Sequence, residues 1–306
     1  ALFKLRDDFE KVMDERKPDC LITVDYPGFN MKLAKLAHEK GIPVVSYIAP
    51  SAWAWHKSRA KNVAKIVDRV ACIFPFEYDV YKEAGAKVEF VGHPLVDIVK
   101  PSMTINEANA FAGKKEGRKL ILLMPGSRLM EIEKMLPTLL EAAKIIQKQL
   151  PEVDFVMPRA GTIPLNLLEE KIQASGLDVR ITEGHNYDLF SVADLALATS
   201  GTVTLEAALC GLGSVIVYRT NPLTYMIAKL VVNIPHIGLP NIVAGRSVVP
   251  ELIQNDFTPA KVAKAAMELL ESERNALMKK DLEYVKERLG KPGAVGRVAE
   301  LVLKIA

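Results

Sequence analysis

Leu120-Ile121-Leu122-Leu123-Met124-Pro125-Gly126-Ser127-Arg128 is an apolar strand that runs straight into a small-residue turn, and an amphipathic helix follows from about 129 to 149. The pattern returns at Ala196-Leu197-Ala198, which leads through Thr199-Ser200-Gly201-Thr202 into Val203-Thr204-Leu205-Glu206-Ala207-Ala208. Turns of this kind leave backbone N–H groups unpaired at a helix N-terminus, where the helix dipole favours an anion. Two such ends in one α/β domain, one beside an arginine, point to a diphosphate or nucleotide ligand.

Working outward, strands are predicted near 119–124, 153–157, 178–181, 194–198 and 213–217, with helices between them. The first part of the chain has the same rhythm, with strands at 19–24, 43–48, 69–73 and 87–91 and helices at about 1–17, 30–40, 57–67 and 76–84. Gly92-His93-Pro94 breaks the pattern, and 95–118, with Pro101, Gly113 and Gly117, reads as a linker. The expected organisation is a Rossmann-like domain over 1–94, a linker over 95–118, a second Rossmann-like domain over 119–280 and a helical tail over 281–306. After Tyr218-Arg219 a helix is expected at about 222–232, then the loop Ile237-Gly238-Leu239-Pro240-Asn241. Strands alternating with helices imply parallel sheets covered on both faces. Two such halves imply a ligand cleft between them, outside the carboxyl ends of the strands.

The chain has 306 residues, enough for roughly two domains. A formal charge of +3 gives no global argument for nucleic acid. Cys20, Cys72 and Cys210 have neither metal-ligand spacing nor an even count for disulfides, which fits a reducing cytosolic compartment. No apolar run approaches the roughly 18 residues that span a bilayer. There is no Walker-type Gly-Lys-Ser, no Gly-x-Gly-x-x-Gly and no His/Cys/Asp/Glu cluster with ligand spacing, so no metal is expected.

Several residues carry candidate chemistry, each with a plainer alternative. Arg128 could grip a diphosphate bidentately, or pair with Glu131 or Glu133 at the surface. Ser200 and Thr202 could cap their helix, bind phosphate, or do both. Glu206 lies one turn inside that helix among apolar neighbours, where a carboxylate needs partners, such as ribose hydroxyls. Asp25 ends a strand and could act as a general base towards a sugar hydroxyl, or close its own loop as an Asx-turn with Pro27 and Gly28. Trp53 and Trp55 flank Ala54 and precede the stripe Lys57, Lys61, Lys65, with Arg59 nearby. Such a set could meet a membrane interface, or be one packed tryptophan and a solvated helix face. His93 and His185 fit structural hydrogen-bonding roles, since neither has a nucleophile or carboxylate partner close in sequence.

A longer series occurs in order: Val24-Asp25-Tyr26-Pro27-Gly28-Phe29-Asn30, Pro50-Ser51-Ala52-Trp53-Ala54-Trp55, Phe74-Pro75-Phe76-Glu77, Phe90-Val91-Gly92-His93-Pro94 and Met124-Pro125-Gly126-Ser127-Arg128. Thr199-Ser200-Gly201-Thr202, Leu239-Pro240-Asn241 and Val249-Pro250-Glu251-Leu252-Ile253-Gln254 complete it. The series resembles the lipid-A-disaccharide synthases, which are GT-B glycosyltransferases. The resemblance implies an inverting, metal-independent transfer from UDP-2,3-diacylglucosamine to 2,3-diacylglucosamine 1-phosphate. The UDP-sugar is substrate, and no cofactor is implied.

By the same resemblance Asp25 is the favoured base. Gly126, Ser127, Arg128, Ser200, Gly201, Thr202, Glu206 and Asn241 form the UDP side. Asn30, Ser51, Trp53, Trp55, Lys57, Arg59 and Lys61 form the acceptor and membrane side. The family works peripherally on the cytoplasmic face of the inner membrane of Gram-negative bacteria and includes intertwined dimers, so a homodimer is one expected assembly. The family's opening Rossmann strand and Gly-Glu-x-Ser-Gly-Asp turn have no counterpart here, so the N-terminal domain is expected to be incomplete and the chain weakly active or inactive alone. The competing readings are another UDP-sugar enzyme, such as a 2-epimerase or a lipid-linked GlcNAc transferase, and an inactive UDP-binding fragment.

Overall fold

The computed structural model describes residues 2–51, 57–222, 224–226 and 235–306, which form two sheets of parallel strands. The first sheet holds, in chain order, β1 (Leu21–Val24), β2 (Val44–Tyr47), β3 (Arg69–Cys72) and β4 (Val88–Phe90). The second holds β5 (Lys119–Met124), β6 (Val153–Arg159), β7 (Val179–Glu183), β8 (Leu195–Thr199), β9 (Ser214–Tyr218) and β10 (Glu251–Ile253). Its spatial order is β10-β9-β8-β5-β6-β7.

The central strands are apolar almost throughout because both faces are covered. All of β8 is buried, and so is β5 apart from Lys119. The helix Leu129–Gln149 buries Ile132, Met135, Leu136, Leu139, Leu140, Ala143 and Ile146, the stripe expected of a helix laid on a sheet. Each such aliphatic side chain contributes about 1.5–3 kcal/mol by leaving water. Every strand expected from the sequence is present, with ends displaced by two residues at most. The one unforeseen strand is β10, three half-buried residues after Pro250 that are too few to show a period. Most of the helix expected at 222–232 lies outside the described residues.

The chain divides into two compact units. One combines the residues up to Ile98 with Arg288–Ala306, and the other is drawn from Val99–Glu287. The stretch read as a linker contains the helix Ile105–Ala112, which buries Ala108 and Ala112 in the core of the second unit. Its start is tied down by Asp188, whose carboxylate accepts from the Ser102 and Met103 N–H groups at 2.6 and 2.7 Å. The stretch read as a tail ends in the helix Ala294–Leu303, seated on the first unit. The Asp97 carboxylate caps it by accepting from Gly293 N at 2.8 Å, and Arg297 Nε donates to Val91 O at 2.8 Å. Gly92 makes this possible: its φ is +83°, and a Cβ there would lie 3.0 Å from Arg297 Nη2 and 3.3 Å from Leu289 O.

Candidate active site

In the second sheet the chain runs outward from β5 through β6 to β7, then returns to lay β8, β9 and β10 on the other side of β5. The order therefore reverses between β5 and β8, which pair from Ile121–Leu195 to Met124–Ala198. Ligands of open α/β sheets bind outside the carboxyl ends of the strands at such a point. Here the two turns singled out in the sequence come side by side. Gly126, Ser127, Arg128 and Glu131 from one, and Thr199, Ser200, Gly201, Thr202 and Val203 from the other, line a pocket of ≈ 340 Å³.

The two helix ends differ. After β5, the Glu131 carboxylate folds back onto the turn. It accepts from Ser127 N at 2.9 Å and Arg128 N at 3.2 Å, and its other oxygen pairs with Arg128 Nη1 at 2.8 Å. The surface pairing considered for Arg128 is thus formed, yet four fifths of its side chain stays exposed at the pocket. After β8 no side chain caps the helix Thr202–Leu209. Ser200 Oγ donates instead to Ile237 O at 3.0 Å, and Thr204 Oγ1 donates back to Gly201 O at 2.8 Å. Thr204 N donates to Gly201 O at 3.1 Å, which leaves the Thr202 and Val203 N–H groups of this second helix without a partner among the described residues. Thr199 Oγ1, buried in the same wall, has no hydrogen-bond partner. The second turn is the better anion cradle.

Glu206 stands one turn behind the pocket wall, where Tyr187 Oη donates to it at 3.1 Å. Burial raises its carboxyl above the ordinary value, and the tyrosine bond offsets part of the rise. Burial, and then the adjoining Glu206, push the Tyr187 hydroxyl up to about 12.

Asn241 is completely buried, in the helix Leu239–Ala244. Its Nδ2 donates to Val249 O (2.8 Å) and Glu251 Oε1 (2.7 Å), and its Oδ1 accepts from Val248 N (2.7 Å) and Val249 N (3.0 Å). Both its donors and its acceptor are thus committed to protein, leaving none for a ligand. Glu251 passes the constraint on, because its carboxylate accepts from Ile237 N and Gly238 N at 2.9 and 3.0 Å. Ile237 O is the acceptor of Ser200 Oγ, so Asn241 reaches the pocket through two intermediaries.

In the first unit, Asp25 follows β1 directly. Asp25 and Tyr26 both have left-handed backbones, with φ 49° and 44°, just ahead of Pro27 in the helix Pro27–Glu39. Consecutive non-glycine residues in this region cost about 1–3 kcal/mol each and cluster at functional sites. Asn30 holds the bend, its Nδ2 donating to Val24 O and Asp25 O at 3.1 and 2.8 Å. Among the described residues no hydrogen bond engages the Asp25 carboxylate, so the Asx-turn is not formed. A second pocket, of ≈ 290 Å³, lies beside this bend. It is mostly apolar, walled by Pro27, Gly28, Met31, Pro50, Val63 and Ile66, with Arg59 and Asn62 at its polar edge. Ser51, Arg59 and Lys61 are exposed; Trp53, Trp55 and the Lys57 side chain lie outside the described residues.

His93 is buried against Phe74 and accepts from Leu95 N, a structural placement; His185, read as having no carboxylate close in sequence, does have one, because the first turn of the helix Asn186–Val192 brings Asp188 to 3.3 Å from it. Among the described residues no group of three His, Cys, Asp or Glu side chains could hold a metal ion, and no helix is long and apolar enough to cross a membrane.

The profile of the family described as lipid-A-disaccharide synthetase matches residues 1–305. The chain belongs to the lipid-A-disaccharide synthase family. The lipid-A-disaccharide synthase of Geobacter sulfurreducens is 43% identical over 96% of this chain and 77% of its own length. That of Trichlorobacter lovleyi is 43% identical over the whole chain and 79% of its own length. Among solved structures, the UDP-GlcNAc 2-epimerase of Neisseria meningitidis bound to UDP-GlcNAc superposes with a TM-score of 0.67 at 16% identity, covering 99% of this chain and 81% of that one. That likeness supports the GT-B fold of two Rossmann-like units and nothing about chemistry, so the epimerase alternative is not favoured over the synthase family. For a synthase-family member, sequence reasoning missed Thr199, Tyr187 and Glu251. Thr199 and Glu251 each left a trace, as members of the quoted Thr199–Thr202 and Val249–Gln254 segments, and Tyr187 left none.

Proposed function

We propose that the protein is an inverting glycosyltransferase that joins UDP-2,3-diacylglucosamine to 2,3-diacylglucosamine 1-phosphate, giving the β-1,6-linked lipid A disaccharide 1-phosphate and UDP. The observation that carries this reading is the synthase-family match over residues 1–305. The switch-point pocket supplies a physical means. The UDP diphosphate takes the open N–H groups at Thr202 and Val203 and the spare donors of Arg128, with Gly126, Ser127, Ser200 and Gly201 shaping its bed. Glu206, oriented by Tyr187, accepts from the ribose hydroxyls.

The reaction is a single displacement. The acceptor 6-hydroxyl oxygen attacks the donor C1 from the face opposite UDP. Asp25 takes the hydroxyl proton, the C1–O bond to UDP breaks, and its electron pair leaves on the β-phosphate oxygen. Arg128 and the helix N–H groups stabilise that charge. Asp25 suits the base role because its carboxylate, on a strained bend, has no hydrogen-bond partner among the described residues. The apolar pocket beside it suits an acyl chain of the acceptor, with Arg59 at its edge. Acylated substrates favour a peripheral enzyme on the inner face of the inner membrane, and the exposed Arg59 and Lys61 suit contact with anionic lipid.

The test is to incubate the protein with both acylated substrates and follow UDP and the disaccharide phosphate by mass spectrometry. Equimolar UDP and β-linked product is the expected result. Epimerised UDP-sugar, or bound UDP with no disaccharide, would overturn the proposal.

A further inference from the structure

Glu131 holds the donors that a phosphate at the first turn would use. Ser127 N, Arg128 N and Arg128 Nη1 all donate to its carboxylate, at 2.9, 3.2 and 2.8 Å. Gly126, with φ +118°, makes room for it, since a Cβ there would lie 2.4 Å from Glu131 Oε2 and 2.6 Å from Glu131 Cβ. Only 17% of the Glu131 side chain is exposed. A glutamate three residues into a helix is an ordinary cap for backbone N–H groups. Two further observations exceed that role. The carboxylate also engages the guanidinium of Arg128, and both side chains line the pocket. An anion entering there meets a fixed negative charge and an arginine already partnered.

We propose that Glu131 is an internal competitor of the UDP diphosphate: a carboxylate that occupies the first turn and Arg128 until UDP displaces it, and so keeps the affinity for the departing UDP low. The inference rests on reading this pocket as the UDP site. A diphosphate offers the same donors more negative charge, which is what allows it to win them. Turnover benefits because UDP, the leaving group, is ejected by a group tethered beside it. The second turn, with no such competitor, retains its hold on the nucleotide during the exchange.

Glu131→Gln separates charge from shape, because glutamine also serves in this cap. Calorimetric titration of the wild type and Glu131→Gln with UDP, inorganic pyrophosphate and uridine is the experiment. The variant is expected to bind UDP and pyrophosphate about tenfold more tightly, equivalent to about 1.4 kcal/mol, with uridine unchanged. Glu131→Ala loses the cap as well, so it is expected to unfold earlier yet still bind UDP more tightly, a split that a purely structural residue would not produce. Wild-type UDP affinity that equals or exceeds that of both variants overturns the competitor inference alone. Absence of UDP and pyrophosphate binding in the wild type, with both variants equally silent, overturns the nucleotide reading of the pocket and this inference with it.

Discussion

Replacing Asn241 asks whether it touches the nucleotide or holds the wall of the nucleotide site. Its four hydrogen bonds all go to protein, and its exposure is 0%. Asn241→Ala removes all four. At about 1 kcal/mol net for each neutral bond and about 1.5–3 kcal/mol for the one to Glu251, the loss comes to about 5 kcal/mol. With a denaturant slope of roughly 2–3 kcal/mol/M, that lowers the urea midpoint of the second unit by roughly 2 M. Asn241→Asp, although the same shape, is expected to fare no better near neutral pH. It exchanges the donor 2.7 Å from Glu251 Oε1 for a second carboxylate oxygen. Two carboxylates in contact raise the folded pKa of the pair, so the stability lost by Asn241→Asp returns in part as pH falls and the pair takes up a proton. Urea unfolding at two pH values, beside UDP titration in the absence of urea, reads both effects. UDP affinity should fall only modestly, through Glu251 and the Ile237–Ser200 bond. An unchanged urea midpoint with UDP binding abolished would refute the argument and make Asn241 a ligand contact.

Three other expectations follow from the first unit. Asp25→Asn should lower turnover by about 10²–10⁴-fold with UDP affinity unchanged, measured by initial rates and calorimetry, and undiminished turnover removes Asp25 as the base. Burial depresses the His93 imidazole from the ordinary 6.5 to about 4, so the folded state prefers it neutral. Its contribution to stability is complete above pH 6.5 and is lost as pH falls towards 4, by about 3 kcal/mol in all at about 1.36 kcal/mol per unit. Unfolding of wild type and His93→Gln across that range should therefore converge at low pH, and parallel curves would exclude His93. Gly28→Leu should extend into the apolar pocket beside Asp25, because Gly28 lines that pocket and a Cβ there meets nothing within 4 Å. It should raise KM for the acylated acceptor at constant thermal stability, and an unchanged KM would place the acyl chain elsewhere.

The sheets were legible because strands covered on both faces spell themselves as apolar runs, as Leu120–Met124 and Leu195–Thr199 do. Strand β10 was not, being three residues that gain their pairing only from β9. The Leu239-Pro240-Asn241 segment reads in the sequence as part of a loop from Ile237. Proline instead opens a short helix there, where its fixed φ and missing N–H do no harm, and the asparagine turns inward to serve backbone groups that would otherwise lie buried and unpaired. The return of the C-terminal helix to the first unit was equally hidden. It depends on Asp97 and Val91 meeting Gly293 and Arg297, contacts about two hundred residues apart that no local pattern encodes.

Arg128 shows most clearly where the sequence stops. Its two readings, anion grip and ion pair with Glu131, were posed as alternatives; the geometry forms the ion pair, and the competition proposed above makes the two successive states of one group. The carboxylate sits on the guanidinium at 2.8 Å, yet most of the arginine side chain remains exposed in the pocket. One ion pair occupies only part of the five-donor fork, so a phosphate can arrive on the free edge before the carboxylate leaves. Among the described residues no carboxylate caps the turn after β8, where the Ser200 and Thr204 hydroxyls donate to Ile237 O and Gly201 O. On the proposed competition, an arginine with a tethered rival beside a second helix end works as an asymmetric clamp: one jaw holds the diphosphate throughout, and the other is built to let go.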